Sequence, residues 1–455
     1  MFSMIRRLLV LVATLTVVAA VSGCAESTRA VATGEGSIRG INAIVTAPQV
    51  GFLIEERPLG SVDFKGNSGF SSFDNLSYNF NFDLLRPGII EADRLTTQFI
   101  DVITDNEYTV VLTGTIANPS SFFWEDPIRE WSGTETVFEI VFAHLAPSMG
   151  ELDFYFAPPG TVPVLGQAVG ALTNGTRLQI LEFEETPHEL ILTPKDDPTT
   201  IVYQSTELLP IAQIRATIAV FDADPTLTGN VGVNFIDQAG GSSVLVDVNF
   251  PPRTRTYHAA FGTENFDGYF DSDFTSIIYA DIGFKELSSY ADVPKPVTLV
   301  TLTPVGNSGA VIHEADVVFT AGTKSNVVLA GVPGSPLFLF LVNDGRPVET
   351  FPIIRILNAS LSTESLDIYF LPPGTPIEDA IIPQIRGIPS LADTGFNVIA
   401  DGMLELTITL AGETTPIAPP VILDLANGDT VDTVIVDTVN PGLVELLIVD
   451  FQAAP

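Results

Sequence analysis

Lys and Arg are scarce in this chain. Twenty of them stand against 55 Asp and Glu in 455 residues, which gives a net charge of −35. A protein that binds a nucleic acid needs clustered basic side chains, so no nucleic-acid partner is expected. Charged residues make up 16% of the chain and hydrophobic residues 46%, a balance that supports a large core and excludes global disorder. The length corresponds to about three to four domains.

Cysteine and histidine are scarce as well, with one Cys and four His. A single Cys excludes an internal disulfide framework. The sequence has no Cys/His spacing, no H-E-x-x-H motif, no Walker A loop and no G-x-S-x-G motif. We therefore expect no metal site, no cofactor and no catalytic residues, and a protein that is not an enzyme.

Residues 1–23 have the pattern of an export signal. Arg6 and Arg7 precede an apolar stretch of 14 residues, 8–21, which is too short to span a membrane. The stretch ends at Val-Ser-Gly-Cys, which resembles the lipobox of bacterial lipoproteins, and the Cys in it is Cys24. The resemblance implies that the Cys24 thiol receives diacylglycerol and that its amine is acylated. The alternative is an ordinary thiol after a plain signal peptide.

Removal of the signal leaves 18 basic residues against 55 acidic ones, a net charge of −37. Residues 24–36 are predicted to form a short tether between the lipid and the folded body. No later window has 18 uninterrupted apolar residues, so the protein is expected to be anchored by its acyl chains rather than to span the membrane. The lipoprotein resemblance, with Ala25 after the cysteine, implies an exported protein of the outer membrane, on its periplasmic or its surface face.

The remainder contains an internal repeat. The segment LDFYFAPPGT at 152–161 returns as LDIYFLPPGT at 366–375, with eight identities in ten at an offset of 214. The same register aligns Asn42, His144, His258 and Asn358, which are 102, 114 and 100 residues apart. This spacing predicts four domains of similar size. They are 37–132, which is divergent, 133–250, 251–350 and 351–455.

Each repeat alternates apolar and polar residues between turn signals, as in LELTITL at 404–410. This pattern is typical of antiparallel sandwiches. The sequence therefore predicts an all-β protein of tandem Ig-like antiparallel β-sandwich domains. Short helical turns are expected near 162–172 and 380–392.

A family resemblance follows from the fourth repeat. The repeat contains a strand running into RILNAS at 355–360, then LDIYF at 366–370, a strand into TLAG at 409–412 and a final hairpin. This arrangement is similar to the bacterial family called domain of unknown function 4397. The likeness is clearest in 352–437, good in 138–200 and partial in 252–331. It is weak in 37–115, where Gly51 replaces the Asp of the strand. The resemblance implies a sandwich fold and a cell-envelope setting, and it brings no established catalytic residues.

Two sets of side chains recur with the repeat. The anchors Asn42, His144, His258 and Asn358 end an opening strand, and Asn at two of the four sites favours hydrogen bonds to turn backbone over metal binding or base catalysis. The second set is Asp153, Asp267 and Asp367. Each is interpreted either as a solvent-facing residue of its strand or as a buried carboxylate that accepts hydrogen bonds from turn amides. A recurrent carboxylate would also suit Ca²⁺ between domains, although no complete EF-hand loop is present.

Aromatic residues are the remaining candidates for a site. They cluster at 70–82 and at 122–131, with Trp124 and Trp131 as a tentative ligand surface. Aromatic platforms stack on sugars or on partner proteins, whereas the alternative is that these rings belong to a core or a domain junction. We expect a lipid-anchored envelope protein with a non-enzymatic binding, adhesion or scaffold role, whose partner is an envelope protein or a glycan. The alternatives are a carbohydrate-binding or polysaccharide-handling lipoprotein and an uncharacterised hydrolase.

Overall fold

A computed structural model describes residues 33–84, 93–377 and 382–452. The export signal, Cys24 and most of the tether lie outside these residues. Every helix or strand assigned within the described ranges is a β-strand, and none of their elements is a helix that could cross a membrane. The helical turns expected near 162–172 and 380–392 are therefore wrong for the described residues there. Strands occupy Gly170–Leu172 and Ile385–Pro389 instead. Pro389 opposes a helix in the second segment, because proline inside a helix removes a hydrogen bond and clashes with the preceding turn.

The first two sandwiches run from Glu35 to Leu245. Strands of the first are β1 Glu35–Asn42, β2 Val50–Ile54, β3 Arg57–Val62, β4 Ser71–Asp74, β5 Ser77–Leu84, β6 Asp93–Asp101, β7 Asn106–Gly114 and β8 Pro119–Pro127. Strands of the second are β9 Val137–Leu145, β10 Leu152–Ala157, β11 Gly170–Leu172, β12 Thr176–Arg177, β13 Leu181–Glu184, β14 Glu189–Pro194, β15 Tyr203–Gln204, β16 Arg215–Asp222, β17 Val231–Asp237 and β18 Ser242–Leu245.

The third and fourth sandwiches run from Arg253 to Gln452. Strands of the third are β19 Arg253–His258, β20 Phe266–Phe270, β21 Tyr279–Ile282, β22 Ala291–Asp292, β23 Val297–Pro304, β24 His313–Val318, β25 Lys324–Val332 and β26 Ser335–Val342. Strands of the fourth are β27 Ile353–Asn358, β28 Ser365–Leu371, β29 Ile385–Pro389, β30 Ala392–Val398, β31 Gly402–Leu410, β32 Val421–Leu425, β33 Thr430–Asp437 and β34 Val444–Gln452.

All four sandwiches share one topology. Numbered within each sandwich, the strands of one sheet lie in the order 4-1-7-8 and those of the other in the order 3-2-5-6. The second sandwich divides its fourth strand into β12 and β13 and adds β18 beyond β17. The tandem β-sandwich prediction is confirmed. The 3-2-5-6 sheets are antiparallel throughout, and each 4-1-7-8 sheet has one parallel pairing, in which the first strand runs parallel to the seventh, as β1 does to β7.

Each sandwich has its own hydrophobic core between its two sheets. Two further clusters lie between sandwiches, where the 4-1-7-8 sheets pack in pairs. In the first pair, side chains such as Ile41 and Val111 meet Leu145 and Phe221 of the second sandwich. In the other pair, Tyr257 and Val328 of the third sandwich meet members of the fourth, Leu357 and Val434 among them. These sheets are therefore buried on both faces.

Shorter contacts join one pair of sandwiches to the other. The backbone N–H of Thr228 donates to the carbonyl of Gly322 at 2.9 Å, beside a bridge between Leu227 and Thr323. The connection between β26 and β27 returns to the first sandwich, where Arg346 pairs with Asp63 at 3.0 Å. The described residues thus form a stack of two sandwich pairs.

Candidate binding groove

The four anchor residues are fully buried, and each bonds to backbone. Asn42 donates from Nδ2 to the carbonyl of Val62 at 3.2 Å and accepts the N–H of Ile44 at 3.1 Å. Asn358 makes the matching bonds to the carbonyl of Ile388 and the N–H of Ser360. Both amides therefore hold the chain where it leaves the opening strand.

The two histidines take the same place. His144 Nε2 lies 2.9 Å from the carbonyl oxygen of Gly150, and its Nδ1 accepts the N–H of Ala146 at 3.2 Å. His258 Nε2 lies 3.2 Å from the carbonyl oxygen of Glu264, and its Nδ1 has no hydrogen-bond partner. Burial lowers the pKa of both imidazoles, against the opposing effect of these carbonyls, so the neutral form is favoured.

The recurrent aspartates are also buried. Asp367 accepts the N–H groups of Gly387 and Gly412 at 2.7 and 2.9 Å, and Asp267 accepts those of Asp281 and Gly306. Asp153 accepts the N–H of Asp196 at 2.9 Å. Each carboxylate therefore ties its strand to neighbouring turns of the same sandwich. Among the described residues, no group of three or more His, Cys, Asp or Glu is placed to hold a metal ion.

A third recurrent set was missed by the sequence analysis. Arg39, Arg255 and Arg355 stand three residues before the anchors Asn42, His258 and Asn358, and all three arginines are buried. An aromatic ring covers each guanidinium. The ring-to-Cζ distances are 4.4 Å for Phe70 over Arg39, 4.6 Å for Tyr290 over Arg255 and 4.7 Å for Phe396 over Arg355.

These arginines lie where the sandwiches pair. Arg39 reaches Thr217 of the second sandwich at 2.7 Å, and burial lowers its pKa to about 10. Arg355 donates to the carbonyl of Val342 in the third sandwich at 2.6 Å. The second sandwich has Val141 at the repeat position. A buried arginine of the adjacent strand, Arg215, lies nearby and pairs with Glu139 at 2.7 Å. The recurrent signal R-x-x-[N/H] was present in the sequence.

The aromatic clusters are largely internal. Phe73, Phe80 and Phe82 belong to the core of the first sandwich. Trp124 is partly buried and packs with Phe122 against the cluster between the first two sandwiches. Trp124 therefore lies at a domain junction rather than on an open platform.

Trp131 has a different setting, where the Arg129 guanidinium lies 4.0 Å from its ring centroid. Arg129 also pairs with Glu139 at 2.6 Å, at the start of the second sandwich. Trp131 therefore lies in the segment that links the first two sandwiches, where its neighbour Arg129 pairs with the second sandwich.

An apolar groove of about 650 Å³ lies on the second sandwich. It lies between the segment 205–214, which joins β15 to β16, and the hairpin of β17 and β18. Leu209 and Ile211 are 62% and 70% exposed at its wall. The lining residues are Leu208, Leu209, Pro210, Ile211, Ile214, Phe235, Asp237, Gln238, Ala239, Ser243 and Leu245. Pockets of this size and character bind small apolar ligands.

A second, more polar groove of about 450 Å³ lies on the first sandwich. Arg57 covers the ring of Phe73 at 5.2 Å, and Tyr78 packs edge-on to the same ring. Burial together with Asp74 and Glu55 raises the pKa of Tyr78, so its hydroxyl stays protonated at neutral pH. This groove offers an aromatic edge with hydrogen-bonding groups beside it.

Comparison with known proteins gives one family. The family model described as "Domain of unknown function (DUF4397)" matches residues 252–369, which hold the third sandwich and the start of the fourth. The chain thus resembles this family, and the match covers the third repeat and only the start of 352–437, where the clearest likeness was expected. Comparison with curated proteins gave no match.

One solved structure, "The Bacillus anthracis TIE protein", is 10% identical. The match covers 66% of this chain and 50% of that one, with a TM-score of 0.14. This chain therefore spans half the length of that protein.

Proposed function

We propose that this chain is a lipid-anchored cell-envelope protein whose tandem Ig-like domains have a non-enzymatic binding, adhesion or scaffold role. The observation that carries the proposal is the position of the single cysteine, Cys24, at the end of an apolar signal and eleven residues before the first strand. Acyl chains on this residue would hold the body at a membrane, because multiple chains anchor stably where one does not.

The packing of the body supports a role in display or scaffolding. Two sandwich pairs bury their inner-facing sheets, and Arg346 ties the connection between the third and fourth sandwiches back to Asp63 of the first. Such contacts oppose bending between the sandwiches. A body of this kind presents its loops and grooves in fixed relative positions, which suits recognition of a partner.

Lipidation is tested by growing cells on an alkyne-labelled fatty acid and measuring label on the purified protein. The native chain should carry the label, and Cys24→Ala should lose it and be released from membranes. Ser22→Ala, which keeps a small residue before the cysteine, is the matched control and should stay labelled. An unlabelled native chain would overturn the anchor.

Location is tested by protease treatment of intact cells that express the chain with a C-terminal tag. Loss of the tag on intact cells indicates surface display and favours adhesion or ligand capture. Protection until the outer membrane is permeabilised indicates a periplasmic body and favours a scaffold role. Recovery of the tag in the cytosolic fraction would contradict the proposal.

The second candidate is carbohydrate binding, favoured by the groove of the first sandwich. Tyr78 is half-buried there beside Arg57, Glu55 and Asp74, a combination of a ring and polar groups that suits a sugar. Glycan-array binding that is lost in Tyr78→Ala but kept in Trp131→Ala would favour this function. Turnover of any substrate in a hydrolase panel would instead overturn the non-enzymatic role.

A further inference from the structure

The apolar groove of the second sandwich is built by a local addition to the fold. Ten residues, 205–214, connect β15 to β16, whereas 102–105, 319–323 and 426–429 make the equivalent connections in the other sandwiches. The same sandwich also has the additional strand β18, which forms part of the opposite wall. The shared topology needs neither element, so the groove is a specialised feature of this repeat.

The groove lies beside the first strand of the protein. Gln238, which lines it, donates from Nε2 to Glu107 Oε1, and Glu107 is the partner of Ser37 in the first sheet. Asp237, also in the lining, accepts Arg39 Nη1 at its carbonyl at 3.3 Å. Facing sheets lie about 10 Å apart and strands rise about 3.3 Å per residue, so the groove is within roughly 20 Å of Thr33.

The length of chain ahead of Thr33 matches this distance. Nine residues, 24–32, precede it from the acylation site onward and span at most about 30 Å. A lipid on Cys24 can therefore reach the groove without any movement of the sandwiches.

The chemistry of the lining narrows the ligand to an uncharged chain. Seven of its eleven residues are Leu, Ile, Phe or Pro, and Leu209 and Ile211 expose their side chains at its wall. The charged residue in the lining is Asp237, a carboxylate, so an anionic fatty-acid headgroup would be repelled there. An ester- or amide-linked acyl chain carries no such charge.

We propose that this groove holds one acyl chain of the lipid on Cys24 while the protein is outside a bilayer. The proposal rests on the lipidation of Cys24 proposed above. In a bilayer the chain is already in an apolar medium, but in water its burial in the groove is favourable. The groove would then shield part of the anchor while the protein passes between membranes.

The first test uses the mature chain, residues 24–455, with Cys24→Ser, so that the groove has no ligand of its own. N-phenyl-1-naphthylamine, a neutral fluorescent probe, should bind at one saturable site and be displaced by monopalmitoylglycerol. Leu209→Glu and Ile211→Glu should each weaken probe binding at least about tenfold, because a charge enters the apolar wall. Val439→Glu is the control, because Val439 is 77% exposed on the fourth sandwich.

The second test compares this variant with the lipidated protein, diluted below the critical micelle concentration of its detergent. The tether presents the acyl chain at an effective concentration near the millimolar range. The lipidated protein should therefore bind the probe at least about tenfold more weakly than Cys24→Ser. Lipidated Leu209→Glu should also aggregate faster than lipidated Val439→Glu.

Three results would overturn the proposal. They are no saturable probe binding by Cys24→Ser, binding that Leu209→Glu and Ile211→Glu leave unchanged, and equal binding by the lipidated and unlipidated proteins. Intact mass reports acylation separately. If the lipid mass is absent, Cys24 is not acylated and the proposed anchor fails. If the lipid mass is present and the lipidated protein binds the probe as tightly as Cys24→Ser does, only the proposed binding of the acyl chain in the groove fails.

Discussion

Arg355 and Asp432 form a two-pronged ion pair beside the contact between the third and fourth sandwiches. Arg355 Nε lies 3.1 Å from Asp432 Oδ1, and Nη2 lies 2.6 Å from Oδ2. Asn326 of the third sandwich donates to the same carboxylate at 3.3 Å. This pair therefore joins two strands of the fourth sandwich, and the hydrogen bond from Asn326 connects it to the third sandwich.

Replacing Arg355 with Met should destabilise the protein strongly. The change leaves Asp432 buried without its cation, and breaking a buried pair in this way costs about 3–5 kcal/mol of unfolding free energy. The urea midpoint of the fourth sandwich, followed by hydrogen exchange of its strands, measures the loss. Arg386→Met is the control, because Arg386 is exposed in the same sandwich and should shift the midpoint little. An equal shift in both variants would contradict the role given to the pair.

The double variant Arg355→Met with Asp432→Leu refines the same prediction. Removing both charges leaves no unpaired ion, and such replacements are often neutral. The double variant should therefore be more stable than Arg355→Met alone. If it is less stable, the packing of these side chains rather than their charge dominates.

Asp367→Ala should lower the unfolding free energy by about 2–4 kcal/mol. The substitution removes the carboxylate that accepts the N–H groups of Gly387 and Gly412, and a hydrogen bond to a charged group contributes about 1.5–3 kcal/mol. Thermal unfolding measures the change. Asp424→Ala, at an exposed position of the fourth sandwich, is the control and should leave the midpoint nearly unchanged. A similar loss in both would contradict a specific role for Asp367.

The buried histidines predict a pH dependence. Burial lowers the folded-state pKa of His144 and His258 below the ordinary value near 6.5, so the unfolded chain takes up protons first as the pH falls. The stability associated with the neutral imidazoles is full above about pH 6.5 and is lost as the pH falls toward the folded-state pKa. The guanidinium concentration at the unfolding midpoint should therefore decrease as the pH is lowered from 7.5 to 5.

The variant with His144→Asn and His258→Asn isolates this effect, because Asn occupies the same repeat position in the first and fourth sandwiches. The variant should remain folded, and its midpoint should change less over the same pH range. Guanidinium unfolding at fixed pH values measures both chains. An unchanged pH slope would show that other groups produce the dependence.

The sequence predicted the sandwiches but not their pairing. The repeat of 152–161 at 366–375 marks β10 and β28, whose core-facing side chains, such as Phe154 and Ile368, belong to the core of one sandwich each. The pairing lies in strands such as β9, VFEIVFAHL, which is apolar on both faces because one face meets its own core and the other meets a neighbouring sandwich. This two-sided pattern was present, and it was not used to predict an interface.

The candidate site was harder to predict for a physical reason. Leu209, Ile211 and Phe235 are apolar residues like many others in the chain, and they form a groove only because the 205–214 connection lies against the β17–β18 hairpin. Trp124 illustrates the opposite case, since a residue type typical of binding surfaces here packs at a junction. Residue type predicts chemistry, whereas exposure depends on tertiary packing.

The last prediction concerns the net charge of −37 on the mature chain. Acidic side chains repel one another across the surface of the folded body, and salt screens repulsion between exposed charges over about 10 Å at 0.1 M. Buried pairs such as Arg355 with Asp432 are screened much less. Added NaCl should therefore remove more repulsion than attraction. The thermal midpoint should rise between 10 mM and 500 mM, over which the screening length falls from about 30 Å to about 4 Å.

Calorimetry of the Cys24→Ser mature chain at pH 7.5 measures this salt effect without a membrane or detergent. Choline chloride at the same ionic strength is the control, because a bulky cation screens charge but is a poor ligand for carboxylates. Equal rises with the two salts indicate screening of the net charge. A rise with NaCl alone indicates sodium binding at specific carboxylates, and a fall with both salts would mean that exposed ion pairs such as Lys285 with Glu445 outweigh the repulsion.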